Sequence, residues 1–224
     1  MNCPTSIKDE PFYGLNLDEE QENFVDAILN PDKKIIFCNA RAGSGKTTLA
    51  VGAANMLVHY KLLDGIIYVV SPVEEHSLGF RPGTTCEKAS VYFEPLYQAM
   101  IECNINPNTA IISEDLVNQK EGLAFIKPLT HTFLRGSNLR RQAVIIEEAQ
   151  NYNVGELKKT LTRCHDDCKV IVIGHNLQCD LQRPEQSGFL RYLHHFDCGD
   201  DRVAICNLTK NYRGWISSKA DELE

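Results

Sequence analysis

From Glu19 to Leu29 the apolar residues Phe24, Val25, Ala27, Ile28 and Leu29 recur at roughly helical spacing, and Pro31 closes the run. The pattern predicts a short amphipathic helix. A short apolar run follows, Lys34 to Cys38 (KIIFC), whose adjacent isoleucines suit a buried strand. After a Gly-rich turn, Lys46 to Tyr60 reads as a helix rich in Ala and Leu. Further strands are expected at Gly65 to Val70, Leu123 to Lys127, Ala143 to Glu147, Lys169 to Gly174 and Val203 to Leu208. Helices are expected between them at 88–102, 154–163 and 186–195. Alternation of this kind implies an α/β fold, a mainly parallel sheet flanked by helices.

Residues 1–20 are polar, carry Pro4 and Pro11 and precede this pattern, so they read as an N-terminal arm ahead of a single domain over 21–224. A chain of 224 residues is long enough to bury one substantial core. No repeat, low-complexity tract or linker divides it. No stretch approaches the roughly 20 apolar residues that span a bilayer, and the polar start lacks the apolar run of a signal peptide, so a cytoplasmic location with no membrane partner is expected.

Charge changes the picture only locally. With 23 basic and 30 acidic residues the net charge is −7, which excludes a globally basic nucleic-acid binder. One basic cluster stands out, Arg135, Arg140 and Arg141, with Lys127 and His131 upstream; taken on charge alone it reads as a solvated loop. The nine cysteines are scattered and odd in number, as in a reduced compartment. Cys164 and Cys168 are four apart, with His165 and His175 nearby, but no second close pair completes a zinc site.

The chemistry concentrates in three segments. Residues 40–47, ARAGSGKT, follow the phosphate-loop pattern G-x-x-x-x-G-K-[ST] except that Ala40 replaces the first glycine. Gly43 and Gly45 let the backbone aim N–H groups at the β-phosphate, Lys46 neutralises the β and γ phosphates, and Thr47 offers a hydroxyl to magnesium. Ala42, Ser44 and Thr48 complete the set expected around the nucleotide, and the helix start adds its positive end. The methyl of Ala40 disfavours positive φ, so the start of the loop is expected to differ locally or to use an α-compatible backbone.

The second segment, AVIIEEAQ at 143–150, is a buried strand ending in adjacent carboxylates, the form of a Walker B strand. Glu147 is placed to hold magnesium and Glu148 to polarise the attacking water, which favours hydrolysis over phosphotransfer to a small molecule. The third, KVIVIGHNLQCDL at 169–181, runs a strand into a polar turn where Gln178 or Asp180 could sense the γ-phosphate. The stretch Ser71 to Ala89, Gly- and Pro-rich after a predicted strand, is a candidate functional loop.

Together these segments resemble the PhoH family of P-loop ATPases, related in core architecture to superfamily 1 helicases. The likeness covers Gln21 to Arg213. It rests on the phosphate loop, PVEEHSLGFRPG with EPLY at 94–97, PLTHTFLRG at 128–136, EEAQN at 147–151, and GHNLQCDL with Ser187 and Gly188. Glu147 stands where the family segment has Asp, and His175 where an acid is usual. The resemblance implies a single RecA-like P-loop NTPase domain that hydrolyses ATP with magnesium. It implies Gln21 reading the adenine edge, Gln178 as γ-phosphate sensor, Arg213 reaching the γ-phosphate within its own subunit or across an interface, and Arg135 facing nucleic acid or a neighbouring nucleotide, which makes the cluster Arg135, Arg140 and Arg141 a candidate nucleic-acid site. Single-stranded nucleic acid, RNA ahead of DNA, becomes the expected polymer partner. One motor lobe also implies a homo-oligomer, with hexameric rings among the family's forms. Two other readings use the same loop: a small-molecule or nucleoside kinase, which needs an acceptor pocket and a basic lid, and an ATP-binding switch without turnover.

Overall fold

A computed structural model of the chain describes residues 3–8, 12–71, 91–112, 123–176, 178–181 and 183–221. Six strands, β1 (Ile35–Ala40), β2 (Gly65–Val70), β3 (Ile126–Thr130), β4 (Gln142–Ile146), β5 (Lys169–Gly174) and β6 (Val203–Leu208), form one sheet in the order β3-β2-β4-β5-β1-β6. Every pairing is parallel. The helices are α1 (Glu19–Leu29), α2 (Lys46–His59), α3 (Glu94–Glu102), α4 (Pro107–Ala110), α5 (Val154–Leu161), α6 (Phe189–Phe196) and α7 (Trp215–Asp221). This is the RecA-like P-loop NTPase architecture, a parallel sheet between two helical layers.

Both faces of the sheet are covered, which is why its strands read as continuous apolar runs instead of alternating ones. All six residues of β2 and of β5 are buried. On one face Phe24, Val25 and Ile28 of α1, Leu49 and Ala53 of α2 and Leu96 of α3 pack on Ile36, Ile66, Ile145 and Ile171. On the other, Leu157 of α5 and Phe189 of α6 pack on Phe37, Val69, Val144 and Val172. Because all strands run the same way, their C-terminal ends share one edge, where ligand sites of this class are built.

The helix at Glu19–Leu29 and three strands fall where expected. The strand expected at Leu123 to Lys127 instead runs Ile126–Thr130, with Pro128 inside it. Proline lacks the ladder N–H and argues against a central strand, yet β3 is an edge strand, where that loss is tolerated. α3 starts at Glu94 with Pro95 in its first turn, after a 3-10 turn at Val91–Phe93. Residues 88–90 of that expected helix lie outside the described residues. α4 and α7 have no counterpart in the hydrophobic pattern. The expected arm is not a bystander to the core: Ile7 and Phe12 are buried in it, and the Ile7 N–H donates to Asp26 Oδ1 at 2.8 Å. No helix among the described residues is long and apolar enough to cross a membrane. The eight described cysteines are free thiols, and no cluster of metal-ligating side chains occurs among the described residues.

Candidate nucleotide site

β1 ends at Ala40, which still pairs with Leu208 of β6. Ala40 is therefore extended strand and needs neither a distorted nor a helical backbone, contrary to the expectation drawn from its methyl group. The left-handed turns come later, at Gly43 (φ 73°) and Gly45 (φ 80°), where glycine is required. Gly45 is the residue before α2 and offers no side-chain cap, so Lys46 and Thr47 open the helix and its first N–H groups remain available to an anion. Ala42 is half-buried in the turn. Ser44 is buried, and its hydroxyl has no partner.

The acid pair lies across from this turn. The Glu147 N–H donates to Val69 O at 2.9 Å, extending β4 one residue toward the loop. Its side chain is buried, and Oε1 accepts from the Thr47 hydroxyl at 3.1 Å while Oε2 has no partner. Burial pushes the Glu147 carboxyl up to about 7; Lys46 works against that shift and the neighbouring Glu148 carboxylate adds to it. Hard oxygen donors at Thr47 and Glu147, one of them buried and unpaired, fit a magnesium ion. Glu148 turns into the left-handed region (φ 49°, ψ 47°), which non-glycine residues rarely occupy. That turn brings its Oε1 to 3.2 Å from Lys46 Nζ, while Oε2 accepts from Gln150 Nε2.

Two residues given no role in the sequence reading hold the third segment in place. Gln150 and Asn151 are buried directly after the acid pair. Gln150 Oε1 accepts from the His175 N–H at 2.9 Å. Asn151 exchanges two bonds with Asp180, donating from Nδ2 at 2.9 Å and accepting from the Asp180 N–H at 2.8 Å. The loop after β5 is thus braced at both ends, and the exposed Gln178 projects between them. Their only sequence signal was their place in AQN after two acids.

A late segment closes the other side. The Tyr212 N–H donates to Gly43 O at 2.8 Å, and a Cβ at Gly43 would stand 2.4 Å from Asn211 Oδ1 and 2.9 Å from Arg213 Cγ. Arg213 therefore lies against the phosphate loop of its own chain. Thr209 donates to Glu20 from its N–H at 2.7 Å, and Tyr212 donates to Asp18, to which Lys210 is also paired at 3.2 Å. Gln21 closes the α1 capping box with Asp18, and its Nε2 donates to Ser44 O at 3.0 Å, so its amide steadies the loop. A cleft of about 910 Å³ opens here, bordered by Leu15, Leu17, Gln21, Lys46, Thr47 and Tyr212.

Other expected residues fall elsewhere. Thr48 directs its hydroxyl to Glu102 Oε2 on α3 at 2.5 Å, away from Glu147. The three arginines do not form one patch. Arg135 is exposed one 3-10 turn beyond β3, toward the nucleotide edge. Arg140 and Arg141 precede β4 at the opposite edge, 3.8 Å from Asp167 and 3.0 Å from Asp64 respectively. The candidate loop at Ser71 to Ala89 lies, but for Ser71, outside the described residues.

The family model described as "PhoH-like protein" matches residues 16–213. Protein PhoH of Escherichia coli (strain K12) is 35% identical over 199 residues, 88% of this chain and 53% of that protein. The PhoH-like protein of Bacillus subtilis (strain 168) is 34% identical over 169 residues, 75% of this chain and 50% of its own. The chain thus spans about half the length of the curated relatives it matches. Among solved structures, the HK97 bacteriophage large terminase aligns with 92% of this chain and 42% of its own at 14% identity and a TM-score of 0.48. Unliganded Pif1 from Bacteroides sp aligns with 89% of this chain and 43% of its own at 18% identity and a TM-score of 0.39, and neither likeness carries more than a general similarity. The family match begins just ahead of Gln21 and ends at Arg213, the two residues that enclose the phosphate loop in the fold, and the chain belongs to the PhoH-like protein family.

Proposed function

We propose that the chain binds ATP with magnesium, hydrolyses it, and works on or with single-stranded nucleic acid, RNA in preference to DNA. The observation that carries the reading is the convergence of Lys46, Thr47, Glu147 and Glu148, with Glu147 Oε2 left buried and unpaired. Thr47 and Glu147 would hold magnesium, which when bound neutralises charge on the phosphates. Lys46 exchanges its ion pair with Glu148 for the β and γ phosphates. That exchange frees the Glu148 carboxylate to accept a proton from water, from a backbone position that points it at the loop. Gln178, held between the His175 and Asp180 braces, and Arg213, against Gly43, approach the γ-phosphate from two sides.

Support for a nucleic-acid partner is local. Arg135 is exposed at the nucleotide edge, and Phe133, two residues before it, is 60% exposed, a cation and an aromatic face of the kind that tracks and stacks single strands. The reading includes assembly as a homo-oligomer, a hexameric ring in the fullest form, and gel filtration with ATP tests this. ATP turnover measured with and without single-stranded RNA or DNA tests the whole reading. Glu148→Gln should lower the rate about 10²- to 10⁴-fold while ATP still binds. An unchanged rate removes Glu148 from the mechanism, and ATP loss only with an added acceptor would favour a kinase.

A further inference from the structure

One buried group beside the acid pair has no part in the chemistry above. Tyr68 sits in β2, in register with Ile145 of β4, and its ring is fully buried. Ile66 and Val70, two residues away on either side, share its face and are apolar. Its hydroxyl nevertheless has no hydrogen-bond partner. Buried tyrosine hydroxyls normally find one, and phenylalanine would fill the same space without an unpaired oxygen.

The neighbouring strand explains the hydroxyl. The Glu147 N–H bonds to Val69 O, which sets its side chain beside Tyr68, and Glu147 Oε2 is a second unpaired buried oxygen there, with the hydroxyl of the buried Tyr152 a third. The hydroxyl lies close enough to favour the charged form of Glu147, after burial, Lys46, Glu148 and Thr47 have exerted their larger effects. A donor and an acceptor, both dry and both unpaired, thus face one another across adjacent strands.

We propose that Tyr68 is a positioning residue of the metal site: its hydroxyl donates to Glu147 Oε2, and so fixes the orientation in which that carboxylate meets magnesium. Residues that orient a metal ligand in this way typically contribute 10- to 100-fold to metal affinity. The inference rests on Glu147 holding magnesium, and the experiment separates the two ideas.

ATP affinity of the full chain, measured in EDTA and in magnesium, gives the metal's contribution as a ratio. Tyr68→Phe should cut that ratio about tenfold, leave the affinity in EDTA unchanged, and leave the metal-free thermal midpoint the same or higher, since an unpaired hydroxyl has been removed. Glu147→Gln should abolish most of the ratio, and adding Tyr68→Phe to it should change nothing further. An unchanged ratio in Tyr68→Phe overturns the proposal. So does a lowered midpoint with the ratio intact, or failure to fold, either of which makes the hydroxyl structural. If Glu147→Gln also leaves the ratio intact, the metal assignment itself is wrong.

Discussion

The two edges of the sheet treat polar groups in opposite ways. At the N-terminal edge, where strands begin, charges are matched. Lys169, first in β5 and buried, donates from Nζ to Asn30 O at 2.6 Å and to Lys33 O. Lys33 donates to Val203 O at 3.0 Å, and Arg141 and Arg202 pair with Asp64 and Asp200. At the C-terminal edge, Ser44 Oγ, Glu147 Oε2 and His175 Nδ1 are buried without partners. Arg163 Nε is the exception on the matched side. One edge is largely satisfied by hydrogen bonds and ion pairs within the chain, while the other leaves polar atoms open near the phosphate loop. Buried polar atoms left open cost stability, so their clustering at the phosphate loop marks where function has been favoured over rigidity.

The contrast can be broken in three ways. The largest effect should come from Glu148→Gly, which suits the left-handed backbone and removes the carboxylate. Turnover should fall at least about 100-fold while stability to urea holds or rises by up to about 1 kcal/mol. A destabilised variant would show that the backbone there is not strained.

A smaller effect concerns protons. The Glu147 carboxyl, raised from 4.5 to about 7 by burial first, favours the ligand-free fold most below pH 4.5, and that contribution is lost as the pH rises through about 7. Magnesium must displace the proton. The half-saturating magnesium concentration should therefore rise as pH falls below about 7, approaching tenfold per unit, with proton uptake or release followed by calorimetry in two buffers. A flat profile would mean that Glu147 is already charged.

The matched edge gives the smallest functional effect. Burial, with Lys34 nearby, lowers the Lys169 ammonium to about 8. Lys169→Met removes the buried cation but leaves the Asn30 and Lys33 carbonyls unpaired, so urea denaturation should show a loss of about 1–3 kcal/mol. ATP affinity should not move. If it weakens as well, the two edges are not separable.

What could be read from sequence follows the same division. The phosphate loop and the acid pair were legible because each is a run of consecutive residues with fixed local geometry. Gln150, Asn151 and Tyr212 were not assigned, because their roles depend on partners far along the chain: Asn151 meets Asp180, and Tyr212 meets Gly43. Gln21 was expected at the adenine edge, and its place as a brace of the loop was not legible, since its bond to Ser44 O exists only when α1 is docked. The arginines looked like one cluster because sequence distance hides that the chain crosses from one sheet edge to the other between Arg135 and Arg141. β3 was misplaced for a related reason, since only the sheet order reveals that Pro128 sits on an edge.

The bond from Tyr212 to Gly43, with Thr209 fixed to Glu20, sets a timetable for the protein as it is made. Synthesis runs from the amino end, and the loop's own residues emerge early. Their support arrives only once β6 has paired with β1 and residues 209–213 have left the ribosome. A nascent chain that stops short of them holds a phosphate-loop sequence without its enclosure. On the proposed reading, nucleotide affinity should therefore appear only after residues 209–213 have joined the folded sheet.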